Sequence, residues 1–162
     1  MPADGLAKAR WIALLVPLAL MAGALGSQYL GGLYPCEMCH WQRWPHYAAI
    51  LVAAASFVVP QRGAGTALVL LAGALVAVSG AIGVFHAGVE YHWWPGITAC
   101  TAAAGSGMSG MDLIEAISHG PLVRCDKPQW TLLGISLAGF NAIFSLAGAA
   151  AVFALALRKP QG

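Results

Sequence analysis

Two of the four cysteines stand three positions apart in the stretch YPCEMCHWQRWPHY, residues 34–47, as Cys36 and Cys39. Cys36 to His40 reads C-x-x-C-H, the attachment signature of a c-type haem. Without the histidine it is C-x-x-C, a dithiol–disulfide pair or half of a zinc site. The other two cysteines, Cys100 and Cys125, lie far along the chain. These residue types leave three chemistries open: covalent haem, metal chelation and thiol–disulfide exchange.

The elements that must position them are apolar. The chain has 162 residues, enough for one domain over 1–162, and is 59% hydrophobic and only 9% charged. A soluble domain carries about 25% charged residues, so this chain has too few to cover a water-exposed surface. Its net charge of +2 gives no footprint for nucleic acid. Four apolar runs stand out, at about 11–30, 44–59, 66–87 and 130–157. A spanning helix needs about 20 apolar residues, and the second run reaches that length only with residues 40–43 included. None alternates with period two, as a membrane barrel strand would. The expected fold is an all-α membrane protein, a four-transmembrane-helix bundle with helices at about 11–30, 40–59, 66–87 and 130–157. Its outer loops fall at about 31–43 and 88–129, the long one between helices 3 and 4. Lys8 and Arg10 ahead of the first run also suit a signal peptide, but the run is long for one and Gly26-Ser27-Gln28 is a poor cleavage site.

Basic residues orient the bundle. Lys8, Arg10, Arg62, Arg158 and Lys159 fall on one side, and Arg43, Arg124 and Lys127 on the other. Both termini are therefore expected to be cytoplasmic. Trp11, Trp44, Trp93, Trp94 and Trp130 fall near expected helix ends, as interfacial anchors do. All four cysteines then lie on the outer side, an oxidising compartment in bacteria where disulfides persist. Proximity in sequence favours pairs Cys36–Cys39 and Cys100–Cys125, while the other pairings would staple the two outer loops together.

Haem fits this placement poorly, because the motif sits in a short loop against a membrane helix and Cys100 and Cys125 have no part in it. A zinc or copper site would draw on the four cysteines and on His40, His46, His86, His92 and His119, which are scattered with no i, i+4 pair. Inert structural disulfides are a third possibility. Thiol–disulfide exchange uses every cysteine, since one pair can reduce the next. Cys39 falls near the start of helix 2, where unpaired amides favour a thiolate, and Arg43 follows one turn later. Pro45 leaves two starts for that helix, at Pro45 itself or, with a kink, near Cys39. In both, Arg43 stays at the membrane surface close to the cysteines, where a lipid-soluble electron acceptor could bind.

Other residues suggest supporting roles. His86, near the outer end of helix 3, is an ionisable group at membrane depth and a candidate proton shuttle, with Glu90 close enough to pair. Asn141 reads as an interhelical hydrogen bond, and Gly73, Gly80 and Gly83 as sites of close helix packing. Pro17 should kink helix 1. In the long loop Met111, Ile114 and Ile117 share one face of a short surface helix, and residues 105–110 read as a hinge.

The order of these features, an apolar helix, CEMCHWQR, a long outer loop with two further cysteines, then CDKPQWTLLGISLAGFN, resembles disulfide bond formation protein B (DsbB), over about residues 11–157. That family comprises bacterial inner-membrane proteins that reoxidise a periplasmic thioredoxin-fold thiol oxidase (DsbA-like) and pass the electrons to quinone. The resemblance implies that Cys100 and Cys125 form the disulfide that meets the partner, whose thiolate attacks Cys100. It implies that Cys125 then attacks Cys36, leaving Cys39 as the thiolate facing the quinone, ubiquinone or menaquinone, with Arg43 beside it. His86 would join Arg43 at the quinone.

Overall fold

The computed structural model describes residues 3–60, 63–98 and 123–158. Four helices make up almost all of it: α1 (Ala3–Tyr29), α2 (Glu37–Ala55), α3 (Ala64–Glu90) and α4 (Leu137–Ala156). A two-stranded antiparallel ribbon, β1 (Thr131–Leu132) and β2 (Ile135–Ser136), precedes α4. The protein is an all-α membrane protein built as a four-helix bundle. Three helices are long and apolar enough to cross a bilayer: Gly5–Tyr29, Ala64–Glu90 and Leu137–Ala156. They are largely apolar, and large side chains such as Leu15, Leu71 and Ile143 stand exposed on the outside of the bundle, where lipid replaces water. α2 differs, carrying Glu37, His40, Gln42, Arg43 and His46 in its first half.

Three helix boundaries depart from the sequence expectation. α1 begins at Ala3, well before residue 11, because the Ala- and Lys-containing segment ahead of the apolar run is itself a good helix former. α2 starts at Glu37 and runs through Pro45, so of the two starts the one near Cys39 is adopted. Proline removes the amide that would bond the carbonyl of Trp41. Next to that gap, the hydroxyl of Ser79 on α3 donates to the carbonyl of Gln42 at 2.8 Å. Such side-chain replacement is what lets a proline sit inside a membrane helix.

The last helix starts at Leu137 and not near 130. Residues 131–136 instead form the ribbon, whose turn residues Leu133 and Gly134 both adopt positive φ, 53° and 77°. Two left-handed residues make the tight turn that suits a hairpin. The hydroxyl of Ser136 then caps α4 by accepting from the amide of Gly139 at 3.1 Å.

Small residues set the helix spacing. A β-carbon on Gly73 would stand 2.9 Å from Val152, and one on Gly80 2.9 Å from Leu146. On Gly83 it would stand 3.0 Å from the backbone nitrogen of Ala142. These are the three glycines read from the sequence as packing sites, and together they bring α3 and α4 into close contact. Gly5 on α1 approaches the carbonyl of Leu155 on α4, so the first and last helices meet at one end of the bundle. Cys36, Cys39 and Cys125 lie at the other end, beside Val89 near the close of α3. Cys100, the expected surface helix at Met111–Ile117, the hinge at 105–110 and His119 lie outside the described residues.

Candidate functional site: three sulfurs beside an apolar cavity

The site begins with the cap of α2. Cys36 is the N-cap residue, in extended backbone with φ −78° and ψ 174°, and its sulfur accepts from the amide of Cys39 at 3.2 Å. The C-x-x-C spacing sets the two residues at the N-cap and N3 positions of a single turn. Their sulfurs are consequently 2.8 Å apart.

Cys125 reaches the same place from the far end of the long loop. It is fully buried with Cys36 and Met38 against Val89, Phe85 and Val123. Its sulfur hydrogen-bonds that of Cys36, and this contact, then the contact with Cys39, then burial, push the Cys36 thiol far above the ordinary cysteine range. Cys36 is therefore the middle sulfur, in contact with Cys125 on one side and Cys39 on the other.

Behind the sulfurs a hydrogen-bonded network crosses the bundle, and its donors can be assigned. The side-chain nitrogen of Asn141 faces the carbonyl of Ser79 at 3.2 Å and the Oε1 of Gln42 at 2.8 Å. A backbone carbonyl only accepts, so this atom is the amide nitrogen. Gln42 Nε2 likewise faces the carbonyl of Met38 at 3.2 Å, and so it donates to His86 Nδ1 at 2.7 Å. The hydrogen of neutral His86 is then on Nε2. That nitrogen lies 3.6 Å from Cys36 Sγ and 3.8 Å from Glu90 Oε1, and the ring hydrogen-bonds the backbone of Cys125. Glu90 in turn accepts from the hydroxyl of Ser136. His86 and Glu90 are paired in the sense the sequence suggested, and Asn141 bridges α4 to α2 and α3.

On the other side of Cys39 a cavity of about 370 Å³ opens between α1, α2 and α4. Its walls are mostly apolar and aromatic, with Trp130, Phe140 and Phe144 among them. Most of the polar residues that line it come from one face of α2, Cys39, Gln42, Arg43 and His46, at the spacing i, i+3, i+4, i+7, joined by Ser27 of α1 and Asn141 of α4. Arg43 is held across to α1, where its guanidinium donates to Gln28 Oε1 and to the carbonyl of Ala24. A flat apolar ring with polar edges fits such a lining.

Of the residues singled out in the sequence, Cys36, Cys39, Cys125 and His86 come together at the sulfurs, and Arg43 stands with Cys39 on the cavity. His86 is on the sulfur side and does not line the cavity. Sequence reasoning missed Gln42 and the interior role of His46. Both were visible as polar residues three and seven positions after Cys39, but the start of α2 was open, and that decides which face they share.

The haem reading fails on burial, since Cys36 is enclosed by Cys125 and Val89 while His40 faces outward. For a metal, the ligand atoms of Cys36, Cys39 and His86 lie within 4.8 Å of one another. His86 Nε2, 3.6 Å from Cys36 Sγ, carries the hydrogen in this hydrogen-bond arrangement, so ligation through it would require the ring to give that hydrogen up.

A four-helix membrane bundle with close-set thiols at one end and an apolar cavity against them defines a membrane protein of thiol chemistry. A family model for disulfide bond formation protein DsbB matches residues 7–155. A disulfide bond formation protein B of Polaromonas sp. is 32% identical over 141 residues, covering 78% of this chain and 76% of that protein. One of Neisseria meningitidis serogroup A is 30% identical over 157 residues, covering 90% and 92%. One of Methylococcus capsulatus is 33% identical over 127 residues, covering 74% of each. No solved structure matches. The chain belongs to the DsbB family of disulfide bond formation proteins.

Proposed function

We propose that this protein is a quinone-dependent thiol oxidase that reoxidises a periplasmic thioredoxin-fold disulfide-donating protein, passing two electrons through two cysteine pairs to membrane quinone. The observation that supports this best is the position of Cys39. Its sulfur touches Cys36 on one side and lines the apolar cavity on the other.

The steps balance as follows. The partner's thiolate attacks Cys100 of a Cys100–Cys125 disulfide, forming a mixed disulfide and releasing Cys125. The partner's second thiolate resolves the mixed disulfide, so the partner leaves oxidised. The Cys125 thiolate attacks Cys36 of the Cys36–Cys39 disulfide, in the order in which the three sulfurs stand, and Cys39 leaves as the thiolate. Cys100 then displaces Cys36 from Cys125, restoring the first disulfide. The quinone supplies an acceptor for two electrons and two protons, and Cys36 and Cys39 return to the disulfide. Arg43 holds negative charge at Cys39 and at the ring edge. His86 fixes the backbone of Cys125 beside the sulfur of Cys36.

The sidedness supporting this reading is a bacterial inner membrane with both termini cytoplasmic and the cysteines periplasmic. The start of α1 and the end of α4 meet at the opposite end of the bundle from the sulfurs, and the basic residues of the sequence follow the same division.

An absorbance assay on purified protein in detergent tests it. Ubiquinone-1 and a reduced thioredoxin-fold dithiol protein are added and quinol formation is followed. Quinol formation that disappears in Cys36→Ala supports the reading. The absence of quinol, with stoichiometric zinc or copper in the sample, would replace it with chelation by Cys36, Cys39 and a reoriented His86.

A further inference from the structure

Gln42 lies between the two parts of the site. It is buried, lines the cavity beside Cys39, and bonds the imidazole that stands among the sulfurs. Its orientation is dictated from the far side of the bundle, in steps. The carbonyl of Ser79 on α3 only accepts, so the Asn141 atom that faces it at 3.2 Å is the amide nitrogen. That nitrogen donates to Gln42 Oε1 at 2.8 Å. Gln42 Oε1 is thereby turned to α4, and Nε2 to the carbonyl of Met38 at 3.2 Å and to His86 Nδ1 at 2.7 Å.

An amide nitrogen only donates, so Nδ1 must accept. The one hydrogen of the neutral ring is then on Nε2. Turning the Gln42 amide over would set its nitrogen against that of Asn141 and its oxygen against the carbonyl of Met38. Buried groups would be left unpaired, so the other tautomer of His86 is closed off. The ring also hydrogen-bonds the backbone of Cys125. With Nδ1 occupied, that bond runs from Nε2 to the peptide oxygen. Glu90 Oε1, 3.8 Å from Nε2, favours a hydrogen on the same nitrogen.

We infer that Gln42 is a positioning residue for the exchange between Cys125 and Cys36: by donating to Nδ1 it holds the imidazole of His86 in the Nε2–H tautomer, turned to the peptide oxygen of Cys125. This rests on the thiol relay proposed above and adds a residue to it. Gln42 acts through His86 and not on a sulfur. The orientation that starts at the Ser79 carbonyl passes through Asn141, Gln42 and His86 and ends at the backbone of the attacking cysteine.

The test uses the full chain in detergent freed of quinone. Nitrogen NMR of protein with isotope-labelled histidine reads which ring nitrogen carries hydrogen, the His86 signals being those lost in His86→Ala. The exchange is read by adding one equivalent of a reduced thioredoxin-fold dithiol protein and quenching with acid. Mass spectrometry then maps the thiols that its two electrons leave at Cys36 and Cys39. The expected result in the unaltered protein, which needs no variant, is hydrogen on Nε2 and none on Nδ1. Gln42→Met is close in size and has no donor. In it the Nδ1 signal should shift, and the Cys36 and Cys39 thiols should appear about fivefold more slowly, the worth of one net hydrogen bond. The double variant Gln42→Met, His86→Ala should be no slower than His86→Ala alone, since both remove the same tie. Hydrogen on Nδ1 in the unaltered protein, an unchanged rate in Gln42→Met, or a loss that adds to that of His86→Ala overturns the inference and leaves the relay standing. Cys36 and Cys39 staying oxidised in the unaltered protein overturns both.

Discussion

The Nε2 of His86 lies 3.6 Å from the sulfur of Cys36, across fifty positions of sequence. The same ring hydrogen-bonds the backbone of Cys125. One imidazole therefore touches both partners of the Cys36–Cys125 contact. Replacing His86 with Ala removes that tie, a buried bond of about 1 kcal/mol. The expected result is a roughly fivefold slower transfer from Cys125 to the Cys36–Cys39 pair, seen in single-turnover quinol formation. The KM for quinone should stay unchanged, because His86 does not line the cavity.

Arg43 predicts the opposite pattern. It lines the cavity and is held by Gln28 and the Ala24 carbonyl. Arg43→Ala should raise the KM for quinone about tenfold, the worth of one charge-assisted hydrogen bond. Thiol counting by mass spectrometry should still find both disulfides forming. Unchanged quinone kinetics would remove Arg43 from the site.

The Cys36 thiol carries a pH prediction. Its pKa is raised, first by the hydrogen bond with Cys125. The thiolate is the reacting form, so a raised pKa leaves less of it at any given pH. In the reduced protein, alkylation of Cys36 should lag behind an ordinary cysteine throughout pH 7 to 9. In Cys125→Ala the main cause of the shift is gone, and the rate should rise toward the ordinary value. Peptide mapping after timed alkylation reads both.

Gly83→Ala should destabilise the bundle by about 1–3 kcal/mol, the usual effect of overpacking. Its new β-carbon would meet backbone atoms of Ala138 and Ala142, which cannot swing aside. Gly26→Ala is the control, since nothing lies within 4 Å of the added carbon. Thermal unfolding in detergent should show a lowered midpoint for the first and no loss for the second.

Much of this architecture was legible in the sequence because membrane helices announce themselves by length and composition. The apolar runs and the three α3 glycines needed no tertiary information. The thiol pair was legible too, since C-x-x-C spans one turn wherever a helix starts at it. Other features depend on contacts between distant residues. The start of α4 was misread because Trp130, Leu132 and Leu133 are as apolar as the helix they precede, and only backbone geometry separates a ribbon from a helix there. The relation of Gln42 and His46 to Cys39 stayed hidden behind Pro45. A proline ahead of an apolar run ordinarily marks a helix boundary, and whether it is tolerated inside depends on Ser79, thirty-four positions away.

The ribbon has a mechanical consequence. The hydroxyl of Tyr91, just past α3, donates to the carbonyl of Gly134 at 2.8 Å and accepts from the amide of Ser136 at 2.9 Å, while Ser136 also bonds Glu90. The exit of α3 and the entrance of α4 are thereby knotted together at the foot of the long outer connection. Force applied to that connection would pull against the knot before it pulled on the helices. The knot works as a strain relief does on a cable, and the alignment of the buried side chains is insulated from the handling of the loop above.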